Sequence, residues 1–438
     1  MGFIKDFAKK IIYSIPNFKA MRDDVEFLRE ENKKLLEHDR ISEEEMNMAH
    51  KERDEVYAGN LRLEEEINFL KFKLNEMSRL HDETVLRQWD VMPNMREYLC
   101  ISPFRRIEIL PDGSVYTCCS AHLKHNFFIG NIYENSMNEI WNSENAKKLR
   151  YSVTVGDFEY CNHMCHWLHD RDKKLSSEIS PIRKRNILGV KYKSYKDCVL
   201  DYMPEEISLS CDYSCNLTCP SCRNEIKALD KEKSDMLYDS LMEKIRPMLK
   251  DCKYLSALGS GDVFASSALS RFYKTLSKEE FPNLKIFIIT NAQLLNRSKW
   301  EEFSNLKGMH IDLAVSIDAS EKETYEAIRR GGSWERLNEN LRFIMNLKEE
   351  GYIKKLSFNF LVQKLNYKQA YDFVNLARIY KADIIEFQKM ANWGTLSNEE
   401  YIENDVLNED NECRNEVIEI LNEIIENEKE IIIVQNII

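Results

Sequence analysis

Cys215, Cys219 and Cys222 stand in the stretch CNLTCPSC, directly after an apolar, strand-like run at residues 207–210. Thiolates separated by three and then two residues on one loop are soft ligands for a metal ion or an iron-sulfur cluster. With Cys211 as a fourth ligand they would close a structural zinc site. By themselves, three thiolates satisfy three irons of a cubane cluster, and the fourth iron keeps a vacant position for another ligand. A second set of cysteines lies earlier in the chain. Ile107, Ile109, Val115 and Tyr116 alternate around Pro111, Asp112 and Gly113, which is a hairpin signal, and a hairpin returns Cys100 and Cys118 to the same place. Cys161 and Cys165 in CNHMC complete a set of four soft ligands, suited to zinc or to a cluster. His163 or His166 is an alternative to Cys165, and Cys119 is spare.

Elements that would position these residues can be read from periodicity. Apolar runs at 254–258, 284–289, 311–315, 356–362 and 384–387 alternate with helical stretches, and with 207–210 they make six strands. Such alternation implies parallel pairing, right-handed crossovers and an α/β class. Function in these sheets gathers where strands end. The strand ends here carry GSGD at 259–262, TNA at 290–292, VSID at 315–318 with AIRRGG one helix later, and NWGT at 392–395. Glycine allows close backbone approach. Thr290 and Asn291 are also ordinary turn residues, Asp318 is suited to cap a helix beginning at Ser320, and Trp393 fits a lid or a core. The tail EKEIIIVQNII reads as a final strand without an assigned place in the sheet.

The chain of 438 residues is 43% apolar and 31% charged, enough for a full core and two or three domains. Its net charge of −12, without a basic block, argues against nucleic acid as a partner. With no long apolar run and no signal-peptide pattern, the expected place is the cytosol, where 12 cysteines are metal or redox groups rather than staples. Residues 1–20 have an apolar face, including Phe3, Phe7 and Ile11, flanked by lysines; they suit docking on protein or peripheral contact with a membrane. Residues 21–90 step in heptad phase from Met21 through Leu28, Leu35, Leu63, Leu70 and Met77, which suits a coiled coil pairing with a second copy or a partner protein. A solvated single helix is the alternative. The further segments read as a small cysteine-bearing domain at 96–185, a strand-helix domain at 195–400 and a C-terminal helix and strand at 401–438.

The CxxxCxxC loop, the six strand-helix units and the strand-end motifs together resemble the radical S-adenosylmethionine (SAM) superfamily. Residues 98–170, with Cys100, Gly113 and Cys118 followed by IGNIYENSMNEIW, resemble its auxiliary SPASM domain. The resemblance implies a partial (β/α)6 barrel of TIM type, preceded by a small α+β SPASM domain. It also implies a [4Fe-4S] cluster on Cys215, Cys219 and Cys222, with SAM chelated to the open iron, and an external electron donor. An electron then breaks the sulfonium bond and the 5'-deoxyadenosyl radical takes hydrogen from a substrate. Gly259, Ser260, Gly261 and Asp262 would bind the cofactor's amino group, and Ser316 and Arg329 its ribose or carboxylate, with Arg330 the competing arginine. Main chain near Leu361 and Val362 would touch adenine, with Gln363 and Asn366 nearby. One auxiliary [4Fe-4S] cluster on Cys100, Cys118, Cys161 and Cys165 is implied, because the longer seven-cysteine pattern is absent. The auxiliary segment precedes the barrel here, whereas in most relatives it follows. The substrate is expected to be a peptide or a small molecule such as a sugar; a noncatalytic coiled-coil scaffold with structural metal is the alternative.

Overall fold

In the computed structural model the described residues are 97–123, 127–161, 165–169, 180–184, 192–257 and 260–436, all within one compact unit. The expected N-terminal helix and coiled coil lie outside them.

The hairpin forms as its sequence dictates. Strands β2 (Arg106–Ile109) and β3 (Ser114–Tyr116) pair antiparallel, with Glu108 opposite Tyr116. Asp112 accepts from the Ser114 amide at 3.0 Å to close the turn. Gly113 sits there at φ +82 with Tyr133 against it, where a side chain would be both strained and blocked. A short strand β4 (Gly130–Asn131) adds to β3, and β1 (Tyr98–Cys100) pairs with β5 (Ile182–Lys184) as a separate ribbon.

The remaining strands are β6 (Glu206–Leu209), β7 (Tyr254–Ala257), β8 (Lys285–Thr290), β9 (His310–Ser316), β10 (Ile353–Val362), β11 (Ile384–Lys389) and β12 (Ile432–Asn436). They lie parallel in sequence order, and β2 joins β6 in parallel, giving one sheet of ten strands running from β12 to β4. Each of the six expected strands is present within a few residues of its expected bounds. The tail takes the edge next to β11.

Two periodicities explain the layers. Every second strand residue, among them Ile288, Leu313, Val315, Phe358, Phe360 and Phe387, is buried. These pack with helices α1 (Met137–Trp141), α2 (Glu144–Val155), α3 (Lys231–Ser240), α4 (Lys322–Ile328), α5 (Trp334–Glu349), α6 (Ala370–Ile379) and α7 (Arg414–Asn427). Leu341 and Ile344 of α5, Phe373 of α6 and Leu421 of α7 join the same core. Phe360 meets Phe373 edge to face at 4.7 Å and Phe387 at 5.5 Å, so cutting it to Ala would cost about 3–5 kcal/mol. The alternate strand residues form the opposite, polar face. Register sets Glu108, Ser208, Ser256, Phe287 and Asp312 in one cross-strand row, and Ser316, Asn359 and Glu386 in a row nearer the strand ends. Among the described residues no helix is long and apolar enough to cross a membrane.

Candidate cluster and cofactor site

The loop after β6 is tied down at each cysteine. Cys215 donates its amide to the Lys227 carbonyl at 3.0 Å, and a tight turn brings the Cys222 amide to the Cys219 carbonyl at 2.9 Å. Between them Thr218 donates to the Arg330 carbonyl at 2.9 Å, while Arg330 Nε returns a bond to the Thr218 carbonyl at 3.0 Å. Arg330 is thus a pin for the loop. Arg329 turns the other way: it pairs with buried Asp318 at 2.6 Å and its Nη1 stands 3.9 Å from Cys219 Sγ. The two arginines thus differ in place, Arg329 beside the Cys219 thiol and Arg330 on the loop's main chain.

Asp318 does not cap a helix beginning at Ser320. Helix α4 starts at Lys322 after Glu321, and Asp318 sits at φ +65 with its carboxylate accepting from the Leu361 amide at 2.8 Å and holding Arg329. Its side chain is too deeply committed between β9 and β10 to reach a helix terminus. Burial pushes its carboxyl up, and Arg329 pulls it back down. The same contact occupies the Leu361 amide that was expected near adenine.

The second-strand motif lies against the cysteine loop. Asp262 donates its amide to the Ser214 carbonyl at 2.8 Å. A Cβ on Gly261 would come 2.4 Å from that same carbonyl oxygen and 2.6 Å from the Asp212 oxygen, so no other residue fits between the loops. Gly259 lies outside the described residues. The Asp262 carboxylate is buried and accepts from Thr290 Oγ1 at 2.8 Å, from the Asn291 amide at 2.9 Å and from the Phe264 amide at 2.9 Å. Burial pushes its carboxyl above the usual carboxylate range, and those donors oppose the rise. Its role visible in the fold is to carry the TNA segment, whose Asn291 Nδ2 reaches Cys215 Sγ at 3.7 Å and Asn216 Oδ1 at 3.0 Å.

Each of the three sulfurs therefore faces a side-chain N–H donor, the third being Arg223 Nη2 at 3.5 Å from Cys222 Sγ. Burial raises the thiols of Cys215 and Cys219; the Leu217 amide and then Arg223 oppose it at Cys215, and Arg329 opposes it at Cys219. Donors aimed at sulfur suit thiolates that carry charge, as cluster ligands do. Among the described residues no three Cys, His, Asp or Glu side chains converge on one ion-sized point, so the fit to a cluster lies in the loop and its donors. Ser316 ends β9 opposite Asn359. Asn359 Oδ1, Gln363 Nε2 and Arg329 Nε are buried without hydrogen-bond partners in the described structure, polar atoms left over for a bound molecule. Asn366 instead bonds the Asp318 and Leu361 carbonyls, each at 2.8 Å. Trp393 is 59% exposed and so is no core residue.

The four earlier cysteines share a cavity without closing on a single ion-sized point. Cys100, Cys118, Cys161 and Cys165 line one cavity with Leu149 and Val153 of α2, and Cys119 is outside that lining. His163 is not among the described residues, nor is the side chain of His166. Burial pushes the Cys100 thiol up to about 12, and the thiols of Cys100 and Cys165 add to the rise at Cys118. Since β2 and β6 run parallel, Cys100 and Cys118 lie at the start of these strands, whereas Cys215 lies beyond the end of β6. The length of β6, roughly 13 Å, separates the two levels.

A family model described as the radical SAM superfamily matches residues 212–377, and one described as an iron-sulfur cluster-binding domain, SPASM, matches 100–166. Residues 212–377 therefore carry a radical SAM domain and residues 100–166 a SPASM domain. Radical SAM chemistry implies a [4Fe-4S] cluster and SAM, and the SPASM segment implies auxiliary iron-sulfur chemistry. No curated protein matches the chain. Among solved structures it is similar to Streptococcus suis SuiB bound to S-adenosylmethionine, with 15% identity, 67% of this chain and 66% of that chain covered, and a TM-score of 0.39. It is also similar to native anSMEcpe with bound AdoMet, with 13% identity, 52% and 63% covered and a TM-score of 0.38. An archaeal TYW1 follows at 16% identity, 46% and 66% covered, and a TM-score of 0.30. The radical SAM chain thus spans just under two thirds of these relatives, and likenesses so loose say nothing of its substrate.

Proposed function

We propose that this protein is an enzyme that reductively cleaves SAM and abstracts hydrogen from a polar substrate, a peptide or a small molecule. The single observation that carries the reading is the cysteine loop after β6, in which three thiols on one turn each face an N–H donor. A [4Fe-4S] cluster bound there would supply the electron for reductive cleavage of the sulfonium C–S bond of SAM, and bound SAM would supply the means of removing a hydrogen atom from substrate.

Cys215, Cys219 and Cys222 would hold that cluster. The 260–262 loop, placed against the cysteine loop by Gly261, presents main chain to the cofactor's amino end, and buried Asp262 positions Asn291 beneath it. Ser316, with Arg329 set by Asp318, faces the ribose or carboxylate. The polar row Ser316, Asn359 and Glu386 supports a substrate rich in hydrogen-bonding groups. Strands β6 to β11 serve as the open (β/α)6 barrel. Cys100, Cys118, Cys161 and Cys165 would hold one auxiliary [4Fe-4S] cluster at the other end of the strands, suited to passing electrons between substrate and an external carrier. A cytosolic location and pairing through residues 21–90 complete the reading.

Anaerobic reconstitution with iron and sulfide, then reductant and SAM, tests it by release of 5'-deoxyadenosine. Cys219→Ala should abolish the release and leave much of the auxiliary iron bound. Full release by that variant, or no cubane signal in the parent protein, would sink the reading.

A further inference from the structure

Arg223 follows the third cysteine and belongs to no expected motif. It is only 8% exposed, yet it bridges three partners. Nη1 donates to the Tyr213 carbonyl at 2.5 Å, and Nη2 to the Ser260 carbonyl at 2.6 Å and to Cys222 Sγ at 3.5 Å. The partners it bonds are two carbonyls and a thiol, so no carboxylate in direct contact neutralises it. Its neighbour at the site differs in this respect, since Arg329 already pairs with Asp318 at 2.6 Å. Buried Asp262 acts on it only through space, and a guanidinium withdrawn from water with no carboxylate bonded to it is costly. The charge has a use once the loop holds an anion.

We infer that Arg223 is the counter-cation of the cluster on Cys215, Cys219 and Cys222 and raises its reduction potential, while its bond to Ser260 locks the cofactor loop to the cluster loop. This rests on the reading that those thiolates hold a cubane. A fixed positive charge beside the cluster favours the form that has gained an electron, and an N–H···S bond draws electron density from sulfur in the same direction. Cys222 is exposed, but Arg223 is itself withdrawn from water, which limits the screening of its charge. Arg223 is thus a positioning residue that acts through the cluster.

The test is an anaerobic redox titration of the full chain, following the electron paramagnetic resonance signal that changes when SAM is added. Arg223→Gln should keep its iron content and shift the midpoint to a more negative potential, with the auxiliary signal unmoved. Arg223→Lys should restore most of the shift. An iron-replete Gln variant titrating at the parent potential, or a Lys variant displaced as far as Gln, would overturn the inference. Where the Gln variant does not assemble its cluster, the Lys variant decides: assembly near the parent potential supports a charge, and loss or a full shift overturns it. A parent protein with no SAM-responsive cubane would defeat the reading of the preceding section and this one with it.

Discussion

At the scale of single residues, most of the site is held by contacts with no tolerance for added atoms. Gly261 is the clearest case, because the atoms that would meet its Cβ belong to main chain rather than to a side chain that can swing aside. Gly261→Ala is expected to cost about 1–3 kcal/mol, read as a lower Tm, and to weaken SAM binding in a calorimetric titration of the reconstituted protein. Gly394→Ala is the control. It stands at φ +81 with nothing within 4 Å, so it should lose about 1–2 kcal/mol to backbone strain alone and keep its SAM affinity. Equal loss of affinity in both would remove the steric account. The cysteines and GSGD were legible in sequence, since spacing along a loop is local. Asn291 was not legible as a sulfur donor, because its contact needs loops 76 positions apart to meet, and Arg223, though next to Cys222, is held there by bonds to Tyr213 and Ser260, 10 and 37 positions away.

At the scale of elements, α2 joins the auxiliary segment to the chain that leads into β6. Ser143 caps its start and Gly156 ends it in a left-handed turn. Its Arg150 is fully buried, with Nε on the Pro103 carbonyl at 2.9 Å, Nη1 on the Cys198 carbonyl at 3.2 Å and Nη2 on the Trp141 carbonyl at 2.6 Å. It also stacks on Trp141 at 4.3 Å. Burial lowers its pKa to about 10, which leaves it charged at neutral pH. Arg150→Met strands three carbonyls and should cost at least about 1.5–3 kcal/mol in thermal or denaturant unfolding. Since Leu149 and Val153 of α2 line the four-thiol cavity, auxiliary iron content should fall as well. Arg150→Lys should rescue little, because one ammonium does not span what a planar fork reaches. Full rescue by Lys would show that charge alone matters. The hairpin around Pro111–Gly113 and the six strands were readable from period-two patterns; the cap expected of Asp318 failed, since a buried ion pair outcompeted a helix terminus.

At the scale of the molecule, the auxiliary hairpin and the parallel strands share one sheet. Strand β2 covers the edge of β6, and Ile140 and Trp141 of α1 pack into the same core as Ile207 and Leu209. Removing the residues before 192 would uncover that edge and its apolar neighbours. A truncated chain of 192–438 is therefore expected to be aggregated or expanded by size-exclusion chromatography, whereas the full chain melts with the hairpin and strands together. A monodisperse truncated protein that still assembles the SAM-responsive cluster would refute the shared-sheet account.

Sequence alone determined the thiol spacing, the alternation of strands with helices and the hairpin that pairs Cys100 with Cys118, because each depends on residues near one another along the chain. Tertiary structure alone decided which arginine faces the thiols, where the tail strand pairs, and that the two cysteine sets occupy opposite ends of parallel strands. Those outcomes depend on burial and on contacts between distant segments, where a charge or a carbonyl must find its partner in space.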